Sequence, residues 1–160
     1  MTPSPTSLPS VVKFVSAATA LGFAPEIVLT PEPARTAEQA ALACGCAVGE
    51  IVKSLIFRGE VSGEPLLFLV SGSNRVDEAR AAAAGGEPIA RPDAAFVRAA
   101  TGFAIGGIPP FGHDNRTRTF MDRDLLAHAR LWAAAGHPNA VFAVAPDMLR
   151  VLARATLVTP

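Results

Sequence analysis

The sequence predicts a mixed α/β (α+β) fold, and three observations support that class. Half of the 160 residues are hydrophobic and 18% are charged, which provides enough apolar surface for a buried core. A chain of this length corresponds to one ordinary domain. Helical and strand-like segments alternate without a regular βαβ repeat. We therefore expect one domain with a mixed, partly barrel-like β-sheet flanked by helices.

The chain begins with a segment that obstructs regular structure. Residues 1–10 contain three prolines, which lack the backbone N–H that helices and sheets require. We expect a flexible tail there and the folded domain over residues 11–160. Apolar residues recur at helical spacing over residues 11–21, and Gly22 is suited to end that helix. A short strand is expected at residues 26–29.

The second helix has a specific start signal, and a hairpin follows it. Thr36 with Gln39 three residues later is typical of a capping box, and alanines carry the helix to about Cys44. Two apolar runs at residues 51–57 and 66–70 flank a short turn and predict paired strands. The later elements are shorter. They are helices at 76–84 and 92–100, a strand at 119–122, one or two helical turns at 124–130, a strand at 141–144 and a helix at 145–153.

Charge and targeting signals exclude several classes of protein. Fourteen basic and fourteen acidic residues cancel, so the chain is not a general polyanion binder. Its two cysteines exclude a disulfide-rich scaffold. We find no signal peptide and no apolar run near the ~18 residues of a membrane helix. The expected location is the cytoplasm, with no membrane partner. Without a phosphate loop or a G-x-G-x-x-G fingerprint, no nucleotide cofactor is expected either.

Lys53 is the first candidate site residue. It is one of two lysines, against twelve arginines, and it lies in an apolar strand on the same side of the pleat as Leu55 and Phe57. An ammonium on such a face must reach solvent, pair with a carboxylate or have a lowered pKa. The residues alone leave both a structural lysine and a site lysine open.

The second candidate is the loop Gly106–Gly112, with the sequence GGIPPFG. Two glycines allow close approach to the backbone, and two prolines restrict the chain that follows. Such a loop can present N–H groups to a carbonyl oxygen or an oxyanion. A tight turn between buried segments explains the same composition equally well. In the functional interpretation, Phe111 anchors the loop from beneath.

Other constellations are weaker. Cys44 and Cys46 have C-x-C spacing, but no second pair of ligands stands at the spacing of a zinc site, so buried thiols are favoured over metal. A catalytic Ser-His-Asp triad of Ser71, His113 and Asp114 is disfavoured, because no local sequence motif of a serine hydrolase supports it. We expect no metal site.

Several motifs occur in an order that resembles the YbaK/prolyl-tRNA synthetase-associated (INS-like) aminoacyl-tRNA editing domain family. The resemblance covers nearly the whole chain after the tail. Its most specific parts are Lys53 and the G-x-x-x-P motif of Gly106 to Pro110. The matching segments are RTAEQAA (35–41), VKSL (52–55), VSG (70–72), GGIPPFG (106–112), AGHPN (135–139) and APD (145–147).

Members of this family hydrolyse the ester between a wrong small amino acid and a tRNA, typically the proline tRNA. The resemblance implies a barrel-like sheet flanked by helices and catalytic roles for Lys53 and Gly106. Hydrolysis of such a labile ester needs no cofactor or metal, because positioning of the water and polarisation of the carbonyl suffice. It also implies substrate contacts by Thr36, Ser71, Gly72, Gly107, Ile108, Pro109, Pro110 and His137.

Departures from the YbaK type bear on the substrate. Thr36 replaces a tyrosine, and the serine and aspartate expected near Ala134 and Val141 are absent. These changes argue against cysteine among the expected substrates and favour alanine, serine or 2-aminobutyrate. One methylene changes binding in an apolar pocket by only ~1–3 kcal/mol, so several substrates stay open.

The expected partners are a mischarged tRNA, in the first place proline tRNA, and prolyl-tRNA synthetase. Because the net charge is zero, RNA must be held by a few arginines near the cleft. The alternative function is a non-catalytic module that binds tRNA or the synthetase, and a small-molecule esterase is disfavoured because no nucleophile–base pair is evident. The arginines expected to contact RNA are Arg58, Arg75, Arg116 and Arg118.

Overall fold

Two β-sheets form the framework of the protein in a computed structural model that describes residues 8–160. The strands are β1 (Ile27–Leu29), β2 (Val52–Gly59), β3 (Pro65–Ser71), β4 (Ile89–Ala90), β5 (Arg118–Asp122), β6 (Leu131–Ala134), β7 (Ala140–Val144) and β8 (Thr156–Val158). One sheet has the strand order β4-β2-β3-β5-β8, and the other has the order β1-β7-β6. The pairs β3–β5 and β5–β8 are parallel, and the remaining pairs are antiparallel.

Helices lie around these sheets. The described residues contain α1 (Pro9–Ala20), α2 (Ala37–Cys44), α3 (Glu78–Gly85), α4 (Ala94–Thr101) and α5 (Pro146–Ala153), with 3-10 turns at Val48–Glu50 and Arg123–Ala127. The mixed α/β class is therefore confirmed. Within residues 8–160, no helix is both long and apolar enough to cross a membrane.

The barrel-like arrangement is open, because the two sheets do not close into one continuous ring of strands. Closure requires a continuous ladder of strands around the axis. Here β4 and β8 are the edges of the larger sheet, and β1 and β6 are the edges of the smaller one. One isolated parallel bridge, between Ile51 and Trp132, links the two sheets in the described part of the chain. Beyond that bridge, β2 has no partner among the described strands of the smaller sheet, and the space between the two sheets stays open.

The first helix begins at Pro9, two residues before the predicted start. Proline is tolerated in the first turn of a helix, where its missing N–H has no partner to lose. Val11 and Phe14 of α1 are buried in the core. Residues 1–7 of the predicted tail lie outside the described part of the chain.

The cap of α2 is confirmed, with one difference in detail. The hydroxyl of Thr36 accepts the N–H of Gln39 at 3.1 Å, as the capping signature predicts. The Gln39 side chain accepts the N–H of Arg35 at 2.8 Å rather than that of Thr36. The helix thus ties down the segment immediately before it.

The predicted hairpin is confirmed as the centre of the larger sheet. Lys53 of β2 is paired with Val70 of β3, and Leu55 with Phe68. All residues from Leu66 to Ser71 are buried, because β3 is covered on both faces.

Three strands have no counterpart in the sequence-based prediction: β4, β6 and β8. Each has only two to four residues, which is too short for a periodic signal. Their pairing depends on neighbours that are distant in the chain. The predicted turns at 124–130 are a 3-10 turn over Arg123–Ala127.

An aromatic cluster anchors the loop after α4. The rings of Phe14 and Phe111 lie 5.3 Å apart, and Phe14 also contacts Phe142 of β7 at 4.8 Å between centroids. Phe111 is buried beneath the loop. This packing joins the glycine–proline loop to α1 and to the smaller sheet, and so positions it beside β2.

Candidate functional site

A cleft of about 390 Å³ lies between α2, β2, the smaller sheet and the loop after α4. It brings together half of the ten residues predicted to act in catalysis or substrate binding. Chain segments separated by more than a hundred residues meet there, since Ala34 and Val141 both line the cleft. The five predicted residues that line it are Thr36, Lys53, Gly106, Ile108 and His137.

Lys53 is held in a defined position at this cleft. Its ammonium donates to the backbone carbonyl of Asn74. The Asn74 side chain in turn donates to Asp122 at 2.8 Å and to Asp124 at 2.9 Å, which fixes the loop that carries the carbonyl. Asp122 is buried at the end of β5. A network of hydrogen bonds therefore orients the only lysine of β2.

The environment of Lys53 disfavours its charged form. Desolvation lowers the pKa of Lys53 below its ordinary value of 10.5, and the nearby Arg75 lowers it further. Glu38 and Asp122 act in the opposite direction on the same pKa. Arg75 adds a second positive charge near the Lys53 ammonium, and the two cationic groups together are suited to attract an anionic group of a ligand.

The two glycines of the loop have different tasks. The N–H of Gly107 donates to the carbonyl of Ala104 at 3.2 Å and closes a four-residue turn. Gly106 is the third residue of that turn and has a φ of 100°, which favours glycine. The Gly107 donor is thus already engaged, whereas the N–H of Gly106 has no backbone partner among the described residues.

Gly107 joins this loop to the segment that contains His137. A Cβ on Gly107 would lie 2.8 Å from the backbone N and Cα of His137, so the two backbones touch. The Nδ1 atom of His137 accepts the N–H of Asn139 at 3.1 Å, and a neutral ring therefore carries its proton on Nε2. Gly107 and Asn139 together fix where His137 stands at the cleft.

The prolines form the base of the loop rather than a wall of the cleft. Pro109 and Pro110 are buried and do not line it. The Pro109 carbonyl is 2.7 Å from Nε2 of His113. Burial lowers the pKa of His113 below its ordinary 6.5, so this histidine is neutral at pH 7. Ile108 alone presents an apolar side chain from this motif to the cleft.

Ser71 and Gly72 lie at the end of β3, outside the cleft. The buried Ser71 hydroxyl is 2.8 Å from the Gly49 carbonyl, to which it donates. A Cβ on Gly72 would collide with the carbonyl of Val48, so Gly72 permits close packing. Ser71 is also not assembled with His113, whose Nε2 is taken up by Pro109. The structure contains no triad of these residues.

Ser54 is a cleft residue that the sequence analysis missed. Its hydroxyl oxygen is buried and has no hydrogen-bond partner within the described chain. It lines both the cleft and the adjoining hollow that contains Arg75. A buried hydroxyl without a partner is unfavourable in an empty site and becomes favourable when a ligand supplies one. Its position directly after Lys53 was the one signal available in the sequence.

The backbone of Ser54 also faces the cleft. Gly72 donates to Ile51 at 2.7 Å, so odd-numbered residues of β2 bond toward β3. Alternate residues of an antiparallel strand bond to opposite sides, and the N–H and C=O of Ser54 therefore point to the other edge. Arg58 uses that edge to pair with β4, but no described strand pairs with it at Ser54. The open barrel leaves these groups free for a ligand.

The floor of the cleft is small and apolar. Ala134 and Val141, the positions at which the YbaK type is expected to carry polar groups, both line it. Ile105 stands at the rim and is 60% exposed. Among the described lining residues there is no carboxylate. The floor suits a small side chain and offers no anion to bind a charged one.

The described residues contain no cluster of three or more histidine, cysteine or acidic side chains that could hold a metal ion. Burial raises the pKa of the Cys44 thiol to about 11, with a further contribution from Cys46. Burial and Glu50 also raise the pKa of Cys46. Both thiols are protonated at neutral pH, and neither lines the cleft.

The four predicted RNA-contacting arginines are dispersed. Only Arg75 is near Lys53. Arg58 lies toward the far end of β2, with its guanidinium 5.4 Å from the centre of the Phe96 ring. Arg116 and Arg118 line a different groove, behind the glycine–proline loop.

Comparisons with known proteins identify the family and the fold of this chain. Residues 31–152 match the model of the family "aminoacyl-tRNA editing domain". The uncharacterized protein YwhH of Bacillus subtilis (strain 168) is 30% identical over 114 residues, 71% of this chain and 72% of that protein. A solved structure named "putative trans-editing enzyme for prolyl tRNA synthetase" is 42% identical, with a TM-score of 0.89 over 95% of this chain and 96% of that chain.

A second solved structure, of the hypothetical protein APE2540, is 26% identical, with a TM-score of 0.83 over 92% of this chain and 97% of that chain. The fold similarity therefore extends over more than nine-tenths of this chain. Since the family match spans most of the sequence, this chain belongs to the aminoacyl-tRNA editing domain family.

Proposed function

We propose that this protein is a trans-editing deacylase that hydrolyses the ester between a mischarged small amino acid and tRNA, with proline tRNA as the expected carrier. The observation that carries the proposal is the cleft itself. There, a held ammonium, a free strand edge and a glycine turn surround a small apolar floor. The expected location is the cytoplasm, where charged tRNA is used.

The cleft offers a place for each part of an aminoacyl ester. The apolar floor accepts the small side chain. The carbonyl and hydroxyl oxygens of Ser54 are suited to accept hydrogen bonds from the α-ammonium of the amino acid. The ammonium of Lys53 is suited to the terminal-nucleotide phosphate or to the developing oxyanion. The N–H of Gly106 is suited to donate to the ester carbonyl.

In the proposed reaction, water attacks the ester directly. The water oxygen bonds to the carbonyl carbon, and the carbonyl oxygen becomes an oxyanion that Gly106 and Lys53 stabilise. The bond to the ribose oxygen then breaks, and that oxygen receives the proton lost by the water. The products are a free amino acid and uncharged tRNA. Ser54 has no base partner, so we assign it binding rather than nucleophilic attack.

The test is a panel of charged proline tRNAs carrying alanine, serine, cysteine or 2-aminobutyrate. We expect loss of the ester from at least one of them, faster than in buffer, and no loss from prolyl-tRNA. Because the floor lacks polar groups, alanine and 2-aminobutyrate are the favoured substrates. Binding of tRNA without release of any amino acid would instead support the alternative, a non-catalytic tRNA- or synthetase-binding module.

We expect Ser54→Ala to lower kcat/KM by roughly 10- to 150-fold without lowering stability, because one hydrogen bond to a charged group is worth ~1.5–3 kcal/mol. The hydroxyl has no hydrogen-bond partner among residues 8–160. Its removal should therefore leave the melting temperature unchanged or raise it. Ser73→Ala is the matched control, since its hydroxyl lies 3.0 Å from that of Ser71 rather than in the cleft. A lowered melting temperature with normal kcat/KM would assign Ser54 a structural role.

A further inference from the structure

A second groove, of about 720 Å³, lies on the opposite side of the glycine–proline loop from the cleft. It is bounded by the end of α1, the end of α5 and the beginning of β5. The two sites share a thin wall. Ile108 lines the cleft and Pro110 lines the groove, so about 7 Å of chain separates them.

The groove carries an excess of positive charge. Arg116, Arg118 and Arg154 line it, and no acidic residue does so in the described chain. Arg118 is paired with Glu87 at 2.8 Å and donates to the Gly85 carbonyl at 2.7 Å. Arg116 and Arg154 are exposed and belong to none of the ion pairs within residues 8–160. Two guanidinium groups are therefore available to an anion.

Arg154 occupies a position at which three of the other four described helices have glycine. It ends α5 with a φ of 50° and is the one non-glycine residue with positive φ among residues 8–160. The corresponding residues after α2, α3 and α4 are Gly45, Gly86 and Gly102. A left-handed conformation disfavours any side chain, so arginine here lowers stability relative to glycine. Because the unfavourable backbone conformation is kept with arginine rather than glycine, we attribute a function in the groove to the Arg154 guanidinium.

The shape and chemistry of the groove match a ribose–phosphate strand. Its volume far exceeds that of a single phosphate ion. Beside the arginines it contains the hydroxyls of Thr117 and Thr156 and the apolar surfaces of Leu21 and Leu152. Guanidinium groups bind phosphate oxygens in pairs, and hydroxyls are suited to ribose and phosphate.

We propose that this groove binds the phosphate backbone of the RNA part of the substrate while the aminoacyl end lies in the cleft. The identification of the RNA as a tRNA rests on the proposed function. Arg116 and Arg154 make the phosphate contacts, and Arg118, held by Glu87, shapes the groove.

The experiment measures affinity for uncharged proline tRNA as a function of salt, so it does not depend on turnover. The test protein is the double variant Arg116→Ala/Arg154→Gly. We expect tenfold or greater weakening at low salt and a decrease of about 1.5 in the slope of log K against log salt, from two lost phosphate contacts. Glycine suits the backbone at position 154, so the single variant Arg154→Gly should melt no lower than the original protein.

Arg98→Ala is the matched control, because Arg98 is exposed on α4 and lines neither site. An unchanged affinity and salt slope in the double variant would overturn the proposal. Loss of inorganic phosphate binding in the double variant with an unchanged affinity for RNA would also overturn it, by assigning the groove to a free anion. Weakened RNA binding by a protein that deacylates no charged tRNA would support the groove and contradict only the proposed function.

Discussion

Replacing Lys53 with alanine should reduce the rate of ester hydrolysis at least a hundredfold while leaving the fold intact. A preorganised donor to a developing oxyanion is worth about 3 kcal/mol in a sheltered site. Within residues 8–160, the ammonium makes one hydrogen bond, to the Asn74 carbonyl. Its burial disfavours the charged form, so removal should change the free energy of unfolding by about 1 kcal/mol or less. Single-turnover deacylation and denaturant unfolding measure the two effects.

The matched control is Lys13→Ala, since Lys13 is the other lysine of the chain. Lys13 pairs with Asp114 at 2.8 Å and lies away from the cleft. Its exposed ion pair is worth about 0–1 kcal/mol, and its loss should leave the rate unchanged. Normal hydrolysis by the Lys53 variant would contradict the assignment of Lys53 to the reaction. An equal loss of the hydrolysis rate in Lys53→Ala and Lys13→Ala would also contradict that assignment.

The pH dependence of stability gives a second test of Lys53. Its pKa in the folded protein is lowered, first by desolvation and then by Arg75. Between that lowered pKa and the ordinary 10.5, the unfolded chain binds more protons than the folded protein, so stability should rise with pH. Lys53→Met should remove this rise, and denaturant unfolding over that range measures it. Activity that requires the ammonium should decline over the same range.

Gly107→Ala should abolish activity by displacing the loop, and it should destabilise the protein by about 1–3 kcal/mol. The added methyl would stand 2.8 Å from the His137 backbone, which cannot yield as a flexible side chain does. The loop and His137 would separate, and the cleft would lose its shape. For a domain of this size, such a change lowers the melting temperature by roughly 2–4 °C per kcal/mol. Thermal unfolding with a deacylation assay tests both parts.

Gly106→Ala should behave differently, with a large loss of rate and a smaller loss of stability. A methyl on Gly106 has its nearest contact 3.7 Å away, at Pro138, but the positive φ costs about 1–2 kcal/mol. Gly86→Ala is the matched control, because Gly86 has a φ of 75° and open space around it, away from the cleft. Similar stability losses with a rate defect only at position 106 would support the N–H assignment. Normal turnover by Gly106→Ala would contradict it.

Local signals in the sequence predicted much of the fold. Thr36 and Gln39 predict the start of α2, because the N-terminal cap of the helix is formed by residues within one four-residue segment. The apolar runs of β2 and β3 predict the hairpin because a short turn leaves them few other partners. The short strands β4, β6 and β8 could not be found in this way. Their register is determined by pairing with distant segments, as for β8 beside β5.

By itself, the sequence determined the mixed class, the main helices, the central hairpin and the family to which Lys53 and Gly106 point. Only the tertiary structure showed that residues of the same glycine–proline motif have different positions and contacts. Gly106 lines the cleft, and Gly107 packs against the backbone of His137. Pro110 lines the second groove on the other side of the loop. The physical reason is that a site is a set of contacts between distant segments. Ser54 shows this best, because its free backbone edge exists only where the two sheets fail to close.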